Sequence, residues 1–485
     1  MLFNSTQFII FFPIVVCLYF VLPARVRNYW LLICSYYFYM CWNPKYILLL
    51  MASTLVTYAS GLCIERAGRL GTKRLVVAVS VVANVGLLFY FKYINFALDV
   101  LTQIFGRLGV QLSVPQLDIV LPVGISFYIF QALGYTIDVY RGQVKAERNV
   151  FTYALFVSFF PQLVAGPIER SGNLLRQLKQ PAYFNYDRVR AGLLTMLWGY
   201  FLKLVIADRC GVLVDTIYGS LADYTGWYLI FANVMFAVQI YCDFMSYSTI
   251  ARGAAQVLGF GLMDNFEMPY FATSIREFWH RWHISLSTWL RDYVYIPLGG
   301  SRCSKARKYL NIMITFFVSG LWHGASFTYI VWGLLHGAYQ VVEDLLDPAF
   351  GDLLKRFKLK RDSRLVQIPA ILVTFIFTDL AWVFFRASTV REALWVIGHS
   401  FIPAGLDTIR TGILTLGLED WDLQLLAIGL VVLFVSSLMR AAHIDLRTLV
   451  SNWRAVPRYA IYWMAVLMIV FSLNVAGQEF IYFQF

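Results

Sequence analysis

Long uncharged apolar runs recur from one end of this chain to the other, separated by short basic clusters, and a water-soluble core cannot absorb them all. A helix needs about 20 apolar residues to cross hydrocarbon. Runs of this kind lie at residues 7–22, 29–42, 45–63, 75–100, 119–140, 191–218, 226–248, 309–345, 366–385, 423–439 and 457–477, with 309–345 long enough for two passes. Composition agrees, since 59% of the 485 residues are apolar and only 14% charged, against about 25% charged in soluble domains. The expected fold class is all-α: a polytopic integral membrane protein of about 11 transmembrane helices plus one or two re-entrant pieces.

The basic clusters set the expected topology, because Lys and Arg concentrate in cytoplasmic loops. Arg25 and Arg27 precede residues 29–63, and Arg66, Arg69, Lys73 and Arg74 follow them, so that stretch crosses an even number of times, with a hairpin at Trp42-Asn43-Pro44. Arg141, Lys145 and Arg148 likewise precede residues 151–168, and Arg170, Arg176, Lys179, Arg188 and Arg190 follow. That stretch is therefore expected to be buried or re-entrant, which membranes allow only where protein or a cavity shelters the backbone. Further basic clusters lie at 302–308, 355–364 and 440–458, and the segments 101–118 and 387–422 are placed outside.

The opening stretch has no basic residue before its apolar run and no small-residue cleavage site after it. It is expected to stay as the first span, with the N-terminus outside. Residues 1–485 read as a single transmembrane domain without a soluble domain, and no internal repeat of the inverted-repeat transporter kind is visible. The net charge of +12 is spread over loop clusters, so no nucleic-acid partner is expected; the partner is the lipid bilayer. Seven scattered cysteines with no C-x-x-C pair indicate neither a disulfide framework nor a zinc site.

One region departs from lipid-facing composition. Residues 264–340 hold four of the six histidines, His280, His283, His323 and His336, and pack Arg276, Glu277, Arg281, Arg291 and Asp292 among Trp279, Trp282 and Trp289. Ionisable groups are expensive at membrane depth, so such a cluster points to a functional site. His323 lies in the apolar run TFFVSGLWHGASF, next to Trp322 and between Gly320 and Gly324, which permit close approach of other backbone or a ligand. A lone intramembrane histidine also has a plain structural reading, a hydrogen bond to a neighbouring helix. His280 and His283, three apart, could share a helix face and suggest metal, but no carboxylate or cysteine stands at zinc-ligand spacing, and no metal is expected. His336 follows His323 by thirteen residues, which on one straight helix puts it on another face; its reading stays open between packing and substrate binding. Asp243, in QIYCDFMSYS, is either a helix-anchoring hydrogen bonder or a substrate contact, and Lys203, Asp208 and Arg209 either snorkel or pair at a helix end.

The run RWHISLSTWLRDYVYIPLGG at 281–300, followed by SGLWHGASFTYIVWGLLHG at 319–337, resembles the signature of the membrane-bound O-acyltransferase (MBOAT) family in its bacterial alginate O-acetylation branch. FPQLVAGPIER at 160–170, YCDFMSYSTIARGAAQVLGF at 241–260 and the opening MLFNSTQFIIFFPIVVCLYF support it. The resemblance covers residues 1 to about 340, with the signature region at about 150–340. It implies acyl transfer from a cytoplasmic thioester to a hydroxyl within a funnel through the membrane. The donor is acetyl-CoA or a phosphopantetheine thioester, and no cofactor is permanently bound. It further implies a bacterial inner-membrane location, an extracytoplasmic partner with an SGNH (serine hydrolase-like) domain, and an extracellular polysaccharide acceptor.

The family's invariant histidine matches His323 and its second polar position matches His283. A neutral imidazole can take the proton of an attacking hydroxyl, and burial keeps it neutral. His283 as a donor would hold the acyl carbonyl or orient the base. Trp322, Trp282, Arg281, Arg291, Asp243 and His336 are candidate substrate contacts, and Arg281, Arg291, Lys305 and Arg307 are expected at a cytoplasmic mouth, where positive charge also serves topology. Two other readings stay open: D-alanyl transfer to teichoic acid from a carrier-protein thioester, and a transporter or flippase for lipid-linked sugar.

Overall fold

The computed structural model describes residues 1–110, 117–164, 166–403, 412–473 and 480–481. Among them, six helices are long and apolar enough to cross a membrane: Pro44–Arg66, Leu70–Arg107, Tyr186–Gly219, Trp227–Leu258, Arg364–Arg386 and Asp420–Ala441. Thr6–Val21 and Ala455–Phe471 are shorter apolar helices. The other expected spans fall on Ala24–Met40, Ile125–Tyr140, and the pair Lys305–His323 and Phe327–Arg356, which do not meet that length and apolarity. Large apolar side chains stand exposed along the long helices, Val82 at 71% and Leu365 at 76% among them. Lipid, not water, suits such a surface.

The chain divides into two compact units. The first comprises Met1–Met196 and Ile250–Met263. Ser5 caps its first helix by accepting the Phe8 N–H, and Asn43 caps the turn before Ile47–Arg66 by accepting from Lys45. A turn thus stands at the expected Trp42-Asn43-Pro44. Ile125–Tyr140 is buried at nearly every position, and Gly61 admits Tyr135 so closely that a Cβ there would lie 2.7 Å from its hydroxyl. Polar pairs join these helices: Ser53 donates to Asn84, and Tyr153 to Thr57. Residues 151–168 form the short buried helices Val150–Ser158 and Phe160–Leu163, neither long enough to cross. Lys179 pairs with Glu147 at 2.5 Å, which brings the two ends of this stretch together.

The second unit comprises Leu197–Thr249 and Asp264–Phe485 and holds every residue of the candidate site. Its long helices are interrupted at informative places. Within Tyr186–Gly219, residues Phe201–Ala207 form a π-helical turn in which the Asp208 N–H reaches the Lys203 carbonyl. In an α-helix, residues five apart point about 140° from each other; the wider π turn stacks them. Lys203 and Asp208 consequently form a 2.8 Å ion pair, and Lys203 also meets Asp243 at 2.7 Å. These groups are buried and do not snorkel. Arg209 is likewise buried and pairs with Asp422 at 2.7 Å.

Candidate functional site

Lys305–His323 and Phe327–Arg356 are the two legs of a helical hairpin, and their approach depends on glycine. A Cβ on Gly320 would lie 2.4 Å from the Tyr329 carbonyl oxygen, one on Gly324 2.2 Å from the Tyr329 ring, and one on Gly333 2.3 Å from the Phe316 carbonyl oxygen. His323 ends the first leg. The chain then reverses through Gly324–Ser326, and Ser326 caps the second leg by accepting the Thr328 N–H. The premise of one straight helix through His323 and His336 therefore fails. Both rings pack edge-on against Trp332, His323 at 4.8 Å and His336 at 5.1 Å between centroids.

His283 arrives by a different route. Ile275–Arg281 ends one residue before Trp282, and His283 takes the left-handed conformation (φ 43°, ψ 53°) ahead of Ile284–Leu290. Such a backbone costs a non-glycine residue about 1–2 kcal/mol, and Asn265 holds it. The Ile284 N–H donates to the Asn265 carbonyl, the Ser285 N–H to the Asn265 side-chain oxygen, and the Asn265 amide to Ser248. His283 supplies no side-chain cap, so Asn265 satisfies the first free N–H groups of the short helix. This turn also sends His280 to the surface while His283 is fully buried, so the two do not share a helix face. Among the described residues no group of three or more metal-type ligands occurs.

The turn and the hairpin bring His283 and His323 together, ring centroids 6.4 Å apart, with Trp322 against both at 5.6 and 4.9 Å. The surrounding wall is aromatic. Phe385 lies 5.3 Å from His323 and Phe244 4.6 Å from His283. Trp282 stacks among Phe278, Phe266 and Trp382 rather than on either of these histidines, and His336 is boxed by Trp279, Phe278 and Trp332. Burial drives the His283 pKa down to about 3, so at neutral pH its imidazole is uncharged, with one N–H to donate and one lone pair. The uncharged His283 ring and the His323 ring face one another across an aromatic enclosure, and imidazoles so placed can act as proton acceptor and hydrogen-bond donor toward a small polar group between them.

The remaining candidates fall elsewhere. Arg281 pairs with Glu277 at 2.5 Å and Arg291 with Asp292 at 2.8 Å, while Lys305 and Arg307 are exposed. Asp243 is buried, with one carboxylate oxygen on Lys203 and the other accepting the Ile481 N–H. Phe244, Asn265, Trp332, Trp382 and Phe385 join the site without being singled out by the sequence. Asn265 carried a signal, a lone amide in the turn-rich DNFEMP segment; Trp382 and Phe385 sit in an apolar span that looks like any other.

Residues 145–388 match the membrane-bound O-acyltransferase family. The "Probable alginate O-acetylase AlgI" of Pseudomonas aeruginosa is 39% identical over 81% of this chain and 73% of its own length. The "Peptidoglycan O-acetyltransferase" of Helicobacter pylori is 35% identical over 82% and 79%. The "Teichoic acid D-alanyltransferase" of Bacillus subtilis is 25% identical over 53% and 66%.

Proposed function

Since this chain belongs to the membrane-bound O-acyltransferase family and is a multi-pass membrane O-acyltransferase, we propose that it moves an acetyl group from cytoplasmic acetyl-CoA toward hydroxyls of an extracellular polysaccharide. The observation that carries the reading is the pair His283 and His323, buried side by side at 6.4 Å in an aromatic enclosure. Relatives named for O-acetyl transfer match over four-fifths of the chain, while the D-alanyl relative matches over about half, which favours acetyl. Family membership also displaces the transporter reading.

In this mechanism neutral His323 accepts the proton of the attacking hydroxyl as its oxygen bonds to the thioester carbonyl carbon. The carbonyl oxygen gains charge, and the N–H of His283 stabilises it. Collapse of the tetrahedral intermediate breaks the C–S bond, and the proton on His323 passes to the leaving sulfur, releasing free thiol. The aromatic walls exclude water that would otherwise hydrolyse the thioester. Exposed Lys305 and Arg307 supply positive charge for the donor's phosphates. An extracytoplasmic SGNH-type partner would carry the group onward to the polysaccharide, and the bacterial inner membrane, with the N-terminus outside, is the location this requires.

The test is purified protein with acetyl-labelled coenzyme A, with and without a candidate acceptor. The reading expects release of free coenzyme A and transfer of label, both lost in His323→Ala. Binding and consumption of neither acetyl-CoA nor a carrier-protein thioester would overturn it; consumption of a D-alanyl carrier thioester alone would replace acetyl with D-alanyl.

A further inference from the structure

Phe480 and Ile481 lie more than two hundred residues after Asp243 in the chain, yet both are buried in the second unit. The Ile481 N–H donates to one carboxylate oxygen of Asp243 at 2.7 Å, and the other oxygen holds Lys203 at 2.7 Å. The Phe480 ring stacks on Tyr247 at 4.0 Å and reaches Phe244 at 6.2 Å. Asp243, Phe244 and Tyr247 share Trp227–Leu258, and three and four residues are the spacings that put helix side chains on one face. From that face Phe244 meets His283 edge-on at 4.6 Å. Asp243 takes one of its partners from the π turn, since Lys203 is fixed there by Asp208. A buried carboxylate shared between an ammonium and a backbone N–H does not slide, because any displacement leaves a charge unpaired at low dielectric.

We propose that the Phe480–Ile481 segment, seated on Asp243 and Tyr247, is a positioning element for the acyl-transfer site, fixing His283 through Phe244. Its residues touch no reacting atom. His283 has a left-handed backbone, and its ring packs edge-on against Phe244, so a shift of Phe244 moves the surface that holds the ring. Phe480 in turn reaches Phe244 at 6.2 Å and stacks on Tyr247 on the same helix, Trp227–Leu258. The proposal rests on the role given above to His283.

The experiment is a double-mutant cycle between Phe480→Ala and His283→Ala in the full chain, read by single-turnover acetyl transfer. Diethyl pyrocarbonate modification of His283, mapped by peptide mass, is measured alongside, with exposed His280 and His443 as internal standards. Phe480→Ala is expected to slow transfer about 10-fold or more, since a misplaced group far from the chemistry can cost that much. In the His283→Ala background the same change is expected to alter the rate by less than about twofold, as for residues acting through one another. His283, protected in the parent protein, should become modifiable in Phe480→Ala. Unchanged protection, or an equal rate loss in both backgrounds, would overturn the proposal. A His283→Ala protein with full activity, together with lost protection in Phe480→Ala, would refute the chemical role of His283 and leave the seating geometry standing. Should Phe480→Ala fail to insert, Phe480→Leu keeps apolar bulk, removes the stacking on Tyr247, and is held to the same outcomes.

Discussion

Gly320 and Tyr329 face each other so closely that the Tyr329 carbonyl oxygen occupies the space a Cβ on Gly320 would need, 2.4 Å away. The hairpin carrying His323 and His336 closes on this contact. Gly320→Ala is expected to force the two legs apart and destabilise the protein by about 1–3 kcal/mol, as overpacking does. Gly86, whose added Cβ meets nothing within 4 Å, is the control. Thermal unfolding of the detergent-solubilised variants should show a lower midpoint for Gly320→Ala and an unchanged or higher one for Gly86→Ala.

The two histidines separate by substitution. His283→Ala should slow transfer by about 10²- to 10³-fold, the contribution of one positioned donor, and His283→Gln should recover part of it. His323→Gln should recover nothing over His323→Ala, because an amide cannot take up a proton at neutral pH. Single-turnover transfer at matched expression decides; rescue by Gln at 323 and not at 283 reverses the roles.

Acidification should weaken the fold through His283. Its pKa, near 6.5 in an unfolded chain, lies at about 3 in the fold because of burial. Between these values the unfolded chain holds a proton that the folded one does not, so stability is full above about pH 6.5 and falls as pH drops toward 3. His283→Gln lacks this contribution. Unfolding midpoints taken from pH 7.5 to pH 5 should therefore fall more steeply for the parent protein than for the variant.

Asn265 holds the turn that aims His283. Asn265→Ala removes the side-chain oxygen that accepts the Ser285 N–H and the amide that donates to Ser248, while the main-chain carbonyl of residue 265 still accepts the Ile284 N–H. The lost side-chain bond leaves the Ser285 N–H unsatisfied, at a cost of about 1–3 kcal/mol. The expected result is a fall in kcat for acetyl transfer with little change in KM, because the strained backbone at His283 relaxes while donor binding is untouched. A rise in KM alone would assign Asn265 to substrate binding instead.

Residues 145 and 176 should lie on one face of the membrane. Both are exposed, and the Glu147–Lys179 pair ties their segments together. Single cysteines at these positions, in a background with Cys17, Cys41, Cys63 and Cys303 replaced, should react with an impermeant maleimide from the same side. Labelling from opposite sides would refute the topology of residues 151–168.

The membrane character of the chain, the turn at Asn43-Pro44, the short buried stretch after residue 150 and the prominence of His283 and His323 were all legible in the sequence. Each rests on a local quantity: hydropathy summed over a window, a Pro after a capping Asn, basic clusters on either side, an ionisable residue in an apolar run. The partners of those residues were legible only in tertiary structure. Val82 and Leu365 are exposed, whereas Phe244 and Phe385 are buried beside histidines, yet all four stand in equally apolar helices. Lipid tails are as apolar as a protein interior, so the amphipathic stripe that marks the inner face of a soluble helix is absent here. Lys203 and Asp208 needed a π turn to meet, His323 and His336 a chain reversal, and Phe480 a seat on a helix more than two hundred residues earlier. Helix rotation and register, which no local sum contains, decided which apolar residues became the wall of the site.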